Sequence, residues 1–155
     1  MSESHFEAER FRYFILAAQR LGQRQMNDYM KTIEITPAQS EVIRVLEERQ
    51  PLSLKDLGSL LICETGSPSR LIERMVEDGL VDKVPHPNDA RFVLLQLTEK
   101  GQEKARHIQA FEEKMYADLE RLFPNGEMSA VGSALETLLS YYPIADTLRN
   151  RRLIR

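Results

Sequence analysis

Apolar residues recur at three- and four-residue steps from the start of the chain, at Phe11, Phe14, Ile15, Ala18, Gly22, Met26, Tyr29, Met30 and Ile33. That period predicts one long amphipathic helix from about Ser4 to Ile33. At 1.5 Å per residue it is roughly 45 Å long. A helix of that length protrudes from a small domain. Its apolar stripe needs a further surface, and a second subunit is the simplest supply. The next run, "ITPAQSEVIRVLEE", opens with Thr36 as a cap, Pro37 at the first helical position and Gln39 completing a capping box. Its inward side carries Val42, Ile43, Val45 and Leu46. "PLSLKDLGSLL" predicts a short helix over Leu54–Leu61, capped by Ser53 with Asp56 three positions on. Leu54, Leu57, Leu60 and Leu61 supply its core side. A further helix over about Thr65–Asp78 sets Leu71, Ile72, Met75 and Val76 on one face, and Gly79 ends it in a left-handed conformation.

The period then changes. "LVDKVPHPNDARFVLLQLT" reads as two strands around a turn with Asn88 and Asp89 at its tip. Thr98 caps another long helix, whose Ala105, Ile108, Phe111, Met115, Leu119 and Leu122 have near-heptad spacing. "PNGE" breaks it. Val131, Leu135, Leu138, Leu139 and Tyr142 mark a final helix, and Pro143 interrupts that one, leaving a short basic tail. No repeat or low-complexity segment is present. The predicted class is mainly α with a small β-hairpin wing. A winged helix-turn-helix over residues 36–98 lies between an N-terminal helix (1–35) and C-terminal helices with the tail (99–155), all within one structural domain.

In a helix-turn-helix the second helix of the pair lies in the major groove of DNA and leads with its N-terminal residues. Here that helix carries Arg70 and Arg74, four apart and away from the apolar stripe. Arginine can pair bidentately with guanine or clamp a phosphate. Thr65, Ser67 and Ser69 are small donors near the helix N-terminus, where free backbone amides favour phosphate. Gly66 permits close backbone approach, and Pro68 is tolerated in a first turn.

Three stretches resemble the multiple-antibiotic-resistance-regulator (MarR) family of bacterial transcription factors: "SLKDLGSLL", "SRLIERMVEDGLVDK" and "PNDARFVLLQLTEKG". The last is similar to the family's wing, an Asp-x-Arg followed by an apolar strand and a Leu-Thr-x-x-Gly helix start. The match covers about Thr36–Gly101 by motif, and the flanks agree with dimerisation helices by layout. The resemblance implies a homodimeric, ligand-responsive repressor that binds a palindromic operator in double-stranded DNA. It gives Arg91 a place in the minor groove, with Asp89 holding its direction. It also implies an effector, small and aromatic or anionic, bound between the dimerisation helices and the winged region. The ligand-binding residues are unknown. Two positions depart from the pattern: Ala90 stands where many members have a second wing arginine, and Glu64 where a small hydroxyl residue commonly begins the recognition helix.

Composition narrows the picture. The 155 residues are 42% hydrophobic and 29% charged, as in ordinary globular proteins. No apolar run approaches the ~20 residues needed to span a bilayer, so no membrane partner is expected. The polar start "MSESHFEAER" is unlike a secretory signal. One cysteine fits a reducing cytosol and hence a cytoplasmic location. The net charge of −3 does not exclude DNA, because local field matters more than the total. Four of the last seven residues are arginine. The bland reading of that run is a solvated tail; dimer packing, a flanking phosphate contact and disorder are the other readings. Cys63 precedes the recognition helix where the family has a buried apolar residue. It reads as a small buried hydrophobe, with a redox sensor as the alternative. His5, His86 and His107 have no metal-ligand spacing, and no nucleophile elbow, phosphate loop or dinucleotide fingerprint occurs. No metal, cofactor or enzymatic activity is expected. The alternative of another class is a winged-helix protein-interaction module without DNA function.

Overall fold

The computed structural model describes residues 5–63 and 68–154. The chain divides into two compact units, Met1–Pro37 and Ala38–Arg155. The first is built on one helix, α1 (Phe6–Thr32), 27 residues long. The predicted stripe is present, yet Met30 is its one buried residue. Phe6, Phe11, Tyr13, Phe14, Leu16 and Leu21 are all exposed, Phe14 at 59%. The helix closes with the Thr32 hydroxyl donating to the Tyr29 carbonyl at 2.6 Å.

The second unit holds α2 (Pro37–Arg49, entered from the first unit), α3 (Leu54–Gly58), α4 (Ser69–Glu77), β1 (Val81–His86), β2 (Asp89–Leu97), α5 (Glu99–Leu122), α6 (Glu127–Leu139) and α7 (Ile144–Asn150). Proline at the first position of α2 loses no intrahelical donor, which is why the helix begins there. Val42, Ile43, Leu46, Leu57 and Met75 have no exposed surface and centre the core. Burying each side chain of this kind contributes about 1.5–3 kcal/mol. The Ser53 hydroxyl accepts the Asp56 N–H at 3.1 Å and starts α3 as expected. That helix stops at Gly58 rather than Leu61, however, and Leu54 is exposed. Leu57, Leu60 and Leu61 still reach the core, so a turn after Gly58 does the work expected of a longer helix.

The two strands pair antiparallel, Val81 opposite Leu97 through Pro85 opposite Val93, with the register broken between Pro85 and His86. The strands run up to His86 and from Asp89, leaving Pro87 and Asn88 as the turn. Leu52, between α2 and α3, adds a rung by exchanging backbone hydrogen bonds with Leu95 at 3.1 and 2.7 Å. Leu95 and Leu97 are buried while Phe92 and Val93 are exposed, so the inner half of the hairpin joins the core and the outer half stands clear of it.

Thr98 caps α5 by accepting the Gly101 N–H at 3.0 Å. Gly101 is required by packing: a Cβ there would meet the Leu80 carbonyl oxygen at 2.2 Å. The Leu-Thr-x-x-Gly spacing thus lets α5 start directly against the exit of α4. Farther along α5 the burial fades. Ala105 and Ile108 are buried, but Leu119 and Leu122 are exposed. A turn with Gly126 at φ +83° separates α5 from α6, which contains no buried residue. The expected basic tail is instead partly helical. Pro143 opens α7, and Arg149 lies within it, paired with Asp146 at 2.8 Å.

Candidate nucleic-acid interface

Helix α4 is short and sharply two-sided. Ile72 and Met75 are buried, Leu71 and Val76 are half-buried, and Arg70, Glu73, Arg74 and Glu77 are exposed. Arg70 and Arg74, one turn apart, therefore project on the side opposite the core. The helix starts at Ser69, with Pro68 as its N-cap, later than the expected Thr65. Proline fits a cap, where no helical N–H is lost. Ser69 is half-buried at the first position. Thr65 and Ser67, together with Glu64 and Gly66, lie outside the described residues.

The exit of α4 is tightly held. Gly79 adopts φ +73°, and Leu80 donates its N–H back to the Met75 carbonyl at 2.9 Å, the left-handed termination its sequence predicts. The Thr98 hydroxyl donates to the Gly79 carbonyl at 2.6 Å, and the Lys100 ammonium to the Asp78 carbonyl at 2.8 Å. A cation at a helix C-terminus meets the negative end of the dipole. From α2, the Gln39 amide reaches the Asp78 carboxylate at 3.4 Å.

On the approach to α4, both the Ile62 and Cys63 N–H groups donate to Oε1 of Glu41, at 2.8 and 2.9 Å. Cys63 is exposed, not the buried hydrophobe the sequence suggests, because these backbone bonds hold the turn and leave its side chain outside the core. Partial desolvation and the negative charge of Glu41 push its thiol above the ordinary range, with Arg151 opposing. A raised thiol holds less thiolate at neutral pH, which works against the redox-sensing alternative.

At the wing, Asp89 and Arg91 form a two-point pair: Nε donates to Oδ1 at 3.0 Å and Nη2 to Oδ2 at 2.8 Å. The Arg91 N–H also donates to Oδ1 at 3.1 Å. These bonds hold the Asp89 carboxyl below its usual range and raise the Arg91 guanidinium. The Arg91 side chain remains 85% exposed, so its direction is set while its outer surface is available. Among the described residues no group of three or more His, Cys, Asp or Glu is placed to hold a metal, and no helix is long and apolar enough to cross a membrane.

A family model described as a winged helix DNA-binding domain matches residues 35–101. The multiple antibiotic resistance protein MarR of Escherichia coli is 33% identical over 78 residues, half of this chain and 54% of that protein. The chain thus spans about half the length of that relative. The organic hydroperoxide resistance transcriptional regulator of Bacillus subtilis is 30% identical over 98 residues, covering 63% of this chain and 67% of the relative. The chain belongs to the MarR family. A longer alignment joins it to the HTH-type transcriptional repressor IacR of Pseudomonas putida, 26% identical over 147 residues, covering 88% of this chain and 87% of that one. Among solved structures, a MarR variant from E. coli complexed with operator DNA has a TM-score of 0.73 at 24% identity, covering 89% of this chain and 99% of that one. MarR-family proteins are transcriptional regulators rather than enzymes.

The site residues fall into two groups. Ser69, Arg70 and Arg74 share α4, and Asp89 and Arg91 share the wing. Sequence reasoning missed the residues that hold α4 from behind: Lys100 and Gln39 at its exit, and Glu41 ahead of it. All three bond across 20 or more positions of chain, so no local pattern announces them.

Proposed function

We propose that this MarR-family chain is a homodimeric, sequence-specific repressor that binds a palindromic operator in double-stranded DNA and is released by a small aromatic or anionic effector. The observation that carries the reading is the position of Arg70 and Arg74 on the exposed side of a helix whose other side is locked into the core. Such a helix can enter the major groove without losing its packing. Arginines one turn apart can each pair with guanine, worth about 1–3 kcal/mol of discrimination, or clamp a phosphate. Thr65, Ser67 and Ser69 lead that helix as candidate phosphate contacts. Arg91, directed by Asp89, suits a narrow minor groove, where negative potential is concentrated over A·T-rich sequence. Exposed apolar residues on α1, and separately on α5 and α6, are candidates for what a dimer would cover. A two-fold dimer reads half-sites one or more helical turns apart, which makes the operator palindromic. Two relatives support the regulatory reading: one is named a repressor, and one was crystallised with operator DNA. Location in the cytoplasm follows from the same reading.

The test is selection of bound duplexes from a random pool at moderate salt. An enriched imperfect palindrome is expected, with affinity falling steeply as salt rises because bound counterions are released. Weak, salt-insensitive association with every duplex would favour a protein-interaction module instead.

A further inference from the structure

Glu41 serves donors from two distant segments. Oε1 accepts the Ile62 and Cys63 N–H groups ahead of α4. Oε2 accepts Nη1 of Arg151 at 3.1 Å, from 110 positions away. The pair is largely enclosed, its side chains 11% and 22% exposed. One residue earlier, the Asn150 amide donates to the Ser59 carbonyl at 3.2 Å. The end of α7 is therefore fastened to the segment between α3 and α4 directly through Asn150, and indirectly through Arg151, whose partner Glu41 in α2 holds that segment's amides.

The turn itself requires only an acceptor for its two amides. It does not require that the same carboxylate also hold an arginine from the far end of the chain. The two demands are linked through one charged group. A carboxylate this enclosed is stable only while its charge is paired and its lone pairs are used. If Arg151 moves away, the Glu41 carboxylate must regain water, and it does so by turning from the amides it holds.

We infer that Glu41 is a positioning residue for α4, making the approach to the groove-reading helix depend on the placement of the C-terminal segment that carries Arg151. This rests on the DNA-binding reading. The exit of α4 is fixed by Thr98 and Lys100, so the approach is the end that can be reset. In the proposed dimer, a rearrangement of the C-terminal helices then reaches the DNA-reading surface through a single ion pair.

The chain's single cysteine reports on this directly, because its N–H is one of the three donors to Glu41. Arg151→Ala removes a positive charge that favours the thiolate, so electrostatics alone would slow alkylation of Cys63 by a neutral maleimide. Release of the turn would speed it. The expected result is faster alkylation in full-length Arg151→Ala, with binding to the selected operator weakened about fivefold or more. Arg151→Lys should restore both, and Arg151→Ala should add little in a Glu41→Gln background. Sedimentation and circular dichroism are run on each variant, and Arg151→Gln replaces Arg151→Ala if the latter lowers the folded fraction. Unchanged or slower alkylation would overturn the tether, and an unchanged operator affinity would overturn its link to DNA reading. If the unaltered protein selects no duplex, the DNA reading fails, while the alkylation result still decides whether the tether exists.

Discussion

The winged region and the helical flanks treat their apolar residues in opposite ways. From α2 to the start of α5 most periodic apolar positions are enclosed, with Val42, Ile43, Leu46, Leu57 and Met75 at zero exposure and Leu54, Phe92 and Val93 the exposed exceptions. In the second half of α5 and in α6 many positions of the same kind face outward: Leu122 is 68% exposed and Val131 57%, while Leu135 and Leu139 are half-buried. Helix α1, taken by itself, repeats the second pattern. All these segments are amphipathic, so the difference does not lie in the pattern. It lies in what the chain folds against it. The winged region, with the start of α5, folds most of its apolar residues inward, whereas the flanks leave many of theirs exposed.

The largest effect should come from breaking the self-contained side. Leu46→Ala removes a fully enclosed side chain and should lower stability by about 2–5 kcal/mol, read from denaturant midpoints at fixed protein concentration. On the flank side, the double substitution Leu122→Glu and Val131→Glu should leave helical content intact. It should nonetheless cost about 2 kcal/mol or more of subunit association, as a charge placed in the centre of an interface does. Sedimentation across a concentration series checks this. A variant that associates as the parent does would mean that this face is not the one the proposed dimer covers.

The same contrast explains what could be foreseen. Elements whose instructions are local were legible: the Ser53 and Thr98 caps, the Gly79 termination, the hairpin, and the apolar faces of α2 and α4. The family pattern also located Gly101, but its reason was hidden, because the Leu80 carbonyl that excludes a side chain lies 21 positions earlier. Errors arose where tertiary context outweighs periodicity. Leu54 fits the apolar stripe of α3, yet that helix ends after five residues and leaves it outside. Cys63 has the size of a core residue, but Glu41 holds its backbone at the surface turn. The arginine-rich end reads as solvated because nothing nearby pairs with Arg151; its partner is in α2. Of the candidate site, the arginines of α4 were legible from spacing, and Arg91 of the wing only through the family resemblance. The residues that fix α4 in place were not.

Within the exposed surface, the helix and the wing should differ in kind. Arg70→Ala should cost about 1–3 kcal/mol of discrimination between selected and scrambled duplexes if it reads a base. Arg91→Ala should weaken binding most on A·T-rich flanks. Both side chains are exposed, so neither change should move stability by more than about 0.5 kcal/mol. An unchanged specificity ratio would remove Arg70 from the base-reading set, and equal losses on all flanks would make Arg91 a plain phosphate contact.

The smallest effect belongs to the wing pair, and its sign is fixed by the carboxyl shift. The Arg91 side chain, and then its backbone N–H, hold the Asp89 carboxyl below its ordinary value of 3.8. A depressed acid favours the folded state while it is ionised in both states. Its contribution is therefore present above the ordinary value and lost as pH falls through the folded one. Asp89→Asn should thus be slightly less stable than the parent near neutrality, and the gap should close only in acid, below about pH 4. Because the pair is exposed, added salt should shrink the gap at neutral pH as well. A gap that survives high salt would mean that the wing is held as firmly as the Glu41 cluster, and the division between enclosed and open ion pairs would no longer hold.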